Sequence, residues 1–230
     1  KDKAFINGYN LHEIDADSVN SEKFRKELIK LNADFVFIGS WGEKFEKKTI
    51  DIPKIATINC HPSLLPKYRG AAPIQWSIIN GEKVTGVTIM YMEKGLDTGD
   101  MLAKKATPVA GKNCEQLHDE LAQIGAALIV EALTDIEETL AKAQKQDDAL
   151  ATYAPMISKE DGHIDFSQTP EVIERRIRAF DPWPGTFAQM NGKTYKFWAA
   201  TPLKQAADAP DGTVVAAGKE GLDIAAGGRI

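Results

Sequence analysis

The segment Asn59-Cys60-His61-Pro62-Ser63-Leu64-Leu65-Pro66-Lys67-Tyr68-Arg69-Gly70 sets an amide and an imidazole two residues apart at the end of an apolar run. Side chains alternate along a strand, so Asn59 and His61 project from one face and can address one carbonyl oxygen. Asn supplies an N–H donor, and His supplies a donor or a proton. Together they could hold a developing oxyanion, whose stabilisation is the main source of rate enhancement in many acyl transfers. Such a site also needs a carboxylate to orient the imidazole and to take a proton from an attacking amine. Asp97, in Gly95-Leu96-Asp97-Thr98-Gly99 after the next strand-like run, is the candidate. Taken alone, each feature has a plainer explanation: Asn-x-His can cap its own loop, and Asp-Thr-Gly makes turns.

The elements that must position these groups are readable from periodicity. Asn20 or Ser21 caps a helix with Phe24, Leu28 and Leu31 on its packing face. Phe35 to Gly39 reads as a strand buried on both faces. Ile55 to Cys60 and Gly86 to Met92 read as two more, so the polar groups cluster just after strand ends, where open α/β sheets bind ligands. The trio is therefore expected at one pocket beyond the carboxyl ends of neighbouring parallel strands. Asn113 and Gln116 form a capping box for a helix carrying Leu117, Leu121, Ile124 and Leu128 and running to about Ala143. A polar link, Gln144 to Asp148, follows. Thr169-Pro170 opens a helix that Pro182-Trp183-Pro184 ends. Beyond it, Phe187 to Met190, Lys193 to Ala199, Val214 to Ala216 and Leu222 to Ala225 are short strands punctuated by Asn191-Gly192, Asp211-Gly212 and Gly221.

Composition removes several classes. Hydrophobic residues make up 43% and charged residues 27%, so the chain can build a packed core and wholesale disorder is not expected. The net charge of −5 carries no global basic field, so an anionic partner would need a local basic stripe. Two cysteines, Cys60 and Cys114, are too few for a disulfide framework or a Cys-based zinc site, and no metal is expected. His12, His118 and His163 lack paired ligands and read as surface residues. No apolar run is long enough to span a bilayer and no signal peptide is visible, which points to the cytoplasm. No Gly-x-Gly-x-x-Gly fingerprint supports a dinucleotide oxidoreductase. The start at Lys1 and the finish at Gly227-Gly228-Arg229-Ile230 lead to the expectation of a fragment.

Two long runs in register carry a family resemblance. Asn59 through Gln75, and Thr85 to Met90 with Gly95-Leu96-Asp97-Thr98-Gly99-Asp100-Met101-Leu102, resemble the two active-site motifs of the formyltetrahydrofolate-dependent formyltransferases. Gly70-Ala71-Ala72-Pro73-Ile74-Gln75, Tyr153-Ala154-Pro155, Ile157-Ser158-Lys159-Glu160, Ile164-Asp165-Phe166 and Arg178-Ala179-Phe180-Asp181-Pro182-Trp183-Pro184 are most similar to the members acting on initiator Met-tRNA. The resemblance runs from about Leu11 onward. It implies an α/β, doubly wound, Rossmann-like formyltransferase domain lacking its first βα units (1–154), a linker and helix (155–184), and a partial OB-type β-barrel (185–230). It implies 10-formyltetrahydrofolate as formyl donor and co-substrate, methionine on initiator Met-tRNA as acceptor, no metal, and a cytoplasmic monomer without membrane attachment. By the same resemblance, Asn59 binds the formyl oxygen as it becomes an oxyanion, His61 stabilises that charge, and Asp97 sets the protonation of His61 and helps deprotonate the amine. Ser63, Leu64, Leu65 and Pro66 form part of the tetrahydrofolate-binding wall, with further contributions from Gly39-Ser40-Trp41-Gly42 and the Met92 to Leu96 loop.

The sequence also departs from that family's pattern. Ser40-Trp41-Gly42-Glu43-Lys44 replaces the usual aromatic-Gly turn, and the His61-Pro62 pair is more familiar from members acting on sugar nucleotides or glycinamide ribonucleotide. A formyltransferase acting on a sugar nucleotide or other small amine is therefore the first alternative, and a non-catalytic folate- or RNA-binding module the second. Arg175, Arg176 and Arg178 read as a solvated helix face or, more sharply, as RNA phosphate contacts sharing a surface with Lys193 and Lys196.

Overall fold

The computed structural model describes residues 14–39, 44–219 and 221–230. Helix α1 (Glu22–Leu31) begins where Ser21 Oγ accepts a hydrogen bond from the Phe24 amide, and stops at Asn32, whose left-handed backbone donates to the Ile29 carbonyl. Leu28 is buried, but Leu31, at the frayed last turn, is 46% exposed and does not share its packing face. Strand β1 (Phe35–Ile38) runs parallel to β2 (Ala56–His61), after the short helix α2 (Lys47–Ile50). The expectation of burial on both faces fails at Phe37, which is 48% exposed. Phe35, on the same face, packs against the main core, so that face is covered only at the start of the strand.

After β2 come the two-residue strand β3 (Arg69–Gly70) and helix α3 (Pro73–Ile79), then β4 (Val84–Tyr91) and β5 (Met101–Pro108), giving a sheet of order β1-β2-β4-β5. β4 pairs antiparallel to β2, with His61 opposite Thr88, and β5 pairs antiparallel to β4. The α/β architecture is as expected, but the strands bearing the trio are not parallel neighbours. Residues 62–83 stay at the carboxyl end of β2 instead of crossing back, so β4 starts there and runs the opposite way. Asp97 sits in the β4–β5 connection, which folds back toward β2.

Alternation on β2 separates core from site. Ala56 and Ile58 are buried in the main core with Ile78, Val87, Ile89, Leu117 and Leu121, and Cys60 packs against it. Thr57, Asn59 and His61 occupy the other face. Helix α4 (Cys114–Thr134) covers the core face, opened by the Asn113/Gln116 capping box. Its buried residues Leu117, Leu121, Gly125 and Leu128 fall at helical spacing. A Cβ on Gly125 would lie 2.6 Å from Cys60 Sγ, so the helix needs glycine there to approach the strand. The helix does not run on to Ala143: Asp135 leaves helical geometry and recaps helix α5 (Ile136–Ala141) by accepting from the Glu138 amide.

Strand β6 (Tyr153–Ala154) pairs parallel with β3. Helix α6 (Pro170–Ala179) then joins two cores: Ile173 and Ile177 pack with Ile164, Ala188 and Ala226, while Ala179 and the adjoining Phe180 belong to the main core. The hairpin of β7 (Thr186–Met190) and β8 (Lys193–Phe197) turns at Asn191-Gly192, both at positive φ as a type I′ turn demands. β9 (Val214–Gly218) and β10 (Gly221–Ile224) form a second antiparallel pair.

The α6 arginines are tied to backbone and do not form the freely solvated face that is one of the two sequence readings. Arg175 Nε donates to the Ile79 carbonyl at 2.9 Å, and Arg178 Nη1 to the Lys112 carbonyl at 2.7 Å while pairing with Glu174. Arg176 Nη2 donates to the Asp161 carbonyl at 2.7 Å and its guanidinium lies 5.1 Å from the Phe180 ring centre. Each donates to backbone within the protein, so the helix is stapled down rather than presenting three freely solvated arginines. Arg175→Met, which keeps the stem but removes the donors, should lower unfolding free energy by about 1.5–3 kcal/mol, the contribution of a charged hydrogen bond. Denaturant titration measures this, and an unchanged midpoint would refute the staple.

Candidate active site

His61 is 4% exposed, and its Nε2 lies 2.8 Å from the Tyr68 carbonyl oxygen. A carbonyl can only accept, so Nε2 carries a hydrogen and Nδ1 is the nitrogen left for chemistry. Nδ1 faces Asp97 Oδ2 at 3.7 Å. That distance suits an ion pair and is too long for a direct hydrogen bond. Tyr68, rather than Asp97, thus fixes the ring. Tyr68 has φ +62°, in the left-handed region, and is held there from both ends. Its amide donates to Thr152 Oγ1 at 2.8 Å, and its hydroxyl donates to Glu82 at 2.8 Å and accepts from Asn80. Burial pushes the Tyr68 phenol up to about 12, which keeps it a neutral donor to Glu82. Asn59 lies on the same face of β2, half-buried, with no side-chain hydrogen bond to any described residue. It is a free donor two residues from the imidazole.

Asp97 has φ +51°. Its Oδ2 accepts from the Gly70 amide at 2.8 Å, which ties the second motif to the first. Gly70 itself sits at φ +118°, where a Cβ would come within 2.6 Å of the Ala154 carbonyl oxygen. On the far side of the turn, a Cβ on Gly99 would lie 1.9 Å from the Tyr91 carbonyl oxygen. Gly70 thus lets β3 lie against β6, and Gly99 lets the β4–β5 connection return along the end of β4. The Asp97 and Gly99 carbonyls both accept from Gln146 Nε2 at 2.8 Å, and Gln146 Oε1 accepts from Arg69 Nε and Nη2. The sequence places Gln146 within the polar link and Arg69 within the first motif, neither with a role. Their partners are distant in sequence, and local pattern carries no signal for such contacts.

The expected folate wall divides in two. Ser63 is 0% exposed with its hydroxyl donated to the Lys67 carbonyl at 2.7 Å, and Leu65 is 1% exposed among Met90 and Met101. Both are interior supports, because Thr88 Oγ1 bonds the Ser63 carbonyl and the Leu65 amide and draws that stretch into the sheet. Leu64 and Pro66 are half-buried and retain surface. Leu96, beside Asp97, is exposed. Ser40 to Glu43 lie outside the described residues, as does His12. His118 is exposed next to Asp119, and His163 meets Phe187 edge-on. Burial raises the Cys60 thiol to about 11, and it points to the core face, so no thiolate attends the site. The trio instead combines a free amide donor, an imidazole with one committed nitrogen, and a fixed carboxylate. That set suits stabilising an oxyanion and accepting a proton, with no nucleophile of its own.

Comparison with known proteins agrees with that chemistry. Residues 156–230 match the formyl transferase C-terminal domain. The methionyl-tRNA formyltransferase of Geotalea uraniireducens (strain Rf4) is 45% identical over 204 residues, covering 88% of this chain and 64% of that one. That of Syntrophus aciditrophicus (strain SB) is 40% identical over 226 residues, covering 98% and 72%. The chain therefore spans 64% of the first relative's length and 72% of the second's. Among solved structures, HypX from Aquifex aeolicus in complex with tetrahydrofolic acid aligns with a TM-score of 0.67 at 23% identity, over 89% of this chain and 35% of that one. A sugar N-formyltransferase from Shewanella sp FDAARGOS_354 aligns at 0.65 and 22%, over 81% and 77%. These two likenesses establish the fold. Because residues 5–133, which hold the whole trio, match the formyl transferase family itself, the chain belongs to that family.

Proposed function

We propose that the protein transfers the formyl group of 10-formyltetrahydrofolate to the amino group of methionine on initiator Met-tRNA. The observation that carries this reading is the approach of His61 Nδ1 to Asp97 Oδ2 at 3.7 Å beside the free Asn59 amide, in a chain 45% identical to an enzyme of that name. In the reaction the amine nitrogen bonds to the formyl carbon and negative charge moves onto the formyl oxygen. Asn59 and a protonated His61 Nδ1 donate to that oxygen, and Asp97 takes the amine's proton. Collapse breaks the bond to the folate nitrogen, which leaves with the proton that Asp97 took from the amine. Leu64, Pro66 and the exposed Leu96 offer apolar surface for the folate, with Ser63 and Leu65 supporting it from behind.

In this reading residues 1–154 carry the chemistry, 155–184 link, and 185–230 belong to the barrel that meets tRNA, in a cytoplasmic monomer. Among the described residues no helix is long and apolar enough to cross a membrane. Of the five cations that the sequence offers for phosphate, the two exposed ones are on β8. Lys193 and Lys196 are exposed there, Lys196 lying 5.9 Å from the exposed Trp198 ring. A small amine such as a sugar nucleotide would not need them.

Asn59→Ala should lower kcat by on the order of 10²–10³, the effect of losing one oxyanion donor. Asp97→Ala should lower it at least as far while leaving the fold intact. Steady-state formylation of Met-tRNA measures both, and parental turnover in either variant would remove that residue from the mechanism. Lys193→Ala with Lys196→Ala should raise KM for tRNA, leave kcat near parental, and reduce the salt slope of binding by about one per lysine. An unchanged slope, with efficient formylation of an amino sugar nucleotide, would favour the small-amine reading.

A further inference from the structure

We infer that Gln146 is a positioning residue for Asp97: its side chain fixes the backbone of the 97–99 turn and so sets where the carboxylate stands opposite His61. The inference rests on the formyl-transfer reading of the site and names what holds that site in register.

Gln146 is half-buried and uses its full hydrogen-bonding capacity. Arg69 can only donate, so the atom bound to its Nε and Nη2, at 2.9 and 2.8 Å, must be Oε1. The carbonyls of Asp97 and Gly99 can only accept, so the atom 2.8 Å from each must be Nε2. Chemistry leaves the amide one orientation. Its two N–H bonds clamp the backbone on either side of Thr98. Asp97 adopts a left-handed backbone, φ +51°, which a residue with a Cβ occupies only at a steric cost, so the turn gains from outside support.

The contacts close into a ring. Gln146 binds the Asp97 carbonyl, the Asp97 carboxylate binds the Gly70 amide, and Arg69, the neighbour of Gly70 on β3, returns to Gln146. Gln146 itself is anchored two residues earlier, where Gln144 exchanges both backbone hydrogen bonds with Met101 at the start of β5. One neutral amide therefore sets the spacing between the strand that carries the Gly70 amide and the turn that carries Asp97. Its side chain makes no hydrogen bond to His61, so its link to the imidazole runs through Asp97.

Gln146→Glu tests this, because it keeps the size and the partner of Arg69 but turns both donors into an acceptor facing two carbonyls. Gln146→Met, which removes every polar contact while keeping length, serves if the charged variant folds poorly. Two readouts apply: steady-state formyl transfer to Met-tRNA, and the amide resonance of Gly70, which reports its bond to the Asp97 carboxylate. Asp97→Ala marks the position of that resonance with the carboxylate gone. The expected result is a Gly70 resonance moved toward the Asp97→Ala position and kcat reduced on the order of 10- to 100-fold, with KM for both substrates within about twofold. A folded variant with an unmoved Gly70 resonance overturns the inference, whatever its kinetics. Failure of the parent to formylate Met-tRNA would instead count against the functional reading, and the resonance would still decide whether Gln146 places Asp97.

Discussion

The hydrogen bond from the Gly70 amide to the Asp97 carboxylate is the contact on which the site turns, because it joins two loops that the sheet alone would leave apart. β2 delivers Asn59 and His61, and β4 leads away from them in the antiparallel sense. Only the folding back of the β4–β5 connection brings a carboxylate to the imidazole. That return needs Gly70 at φ +118° and Asp97 at φ +51°, conformations held by their surroundings rather than by local preference. The surroundings come from later in the chain. Thr152 and Ala154 accept from Arg69, Ala71 and Ala72 through their carbonyls, and Thr152 Oγ1 accepts from the Tyr68 amide. The segment from Gln144 to Ala154, outside both motifs, is thus part of the frame of the site.

Strand alternation explains how a reactive site sits one residue from a dry core. Ile58 and Cys60 face α4 and are packed closely enough that Gly125 has no room for a side chain. Burial of such aliphatic residues contributes roughly 1.5–3 kcal/mol each, which anchors the strand in register. A one-residue slip would exchange Ile58 and Cys60 for Asn59 and His61 on both faces at once. The spacing of Asn59 and His61 is therefore held by the same packing that stabilises the fold.

What could be read from the sequence follows from the range of the interactions. Ser21 and Asn113 as helix caps, Asn191-Gly192 as a hairpin turn, and Asn59 with His61 on one face all depend on neighbours within a few residues. The pairing of His61 with Asp97 is legible because two motifs stand in register. Other features depend on distant partners and cannot be read locally. The antiparallel return of β4 is set by residues 62–83 remaining at one end of the sheet. Ser63 and Leu65 look like wall residues until Thr88 is seen drawing their backbone inward. Arg175, Arg176 and Arg178 have the charge of a phosphate site, and only the positions of the Ile79, Asp161 and Lys112 carbonyls show where that charge is bound.

The ring of His61 shows how far backbone geometry directs the proposed chemistry. Had Asp97 bonded an imidazole N–H directly, the carboxylate would set the tautomer and the opposite nitrogen would meet the substrate. Here the Tyr68 carbonyl fixes Nε2–H, so Nδ1 is the nitrogen that faces Asp97. A neutral ring then presents a lone pair toward a carboxylate, an arrangement with no attraction. Adding a proton at Nδ1 converts it into a donor beside a fixed negative charge. On the carboxylate, Oδ2 is occupied by Gly70 and lies toward the ring, while Oδ1 makes no hydrogen bond to a described residue. In the proposed reaction that division lets one oxygen hold the geometry while the other receives the proton of the attacking amine.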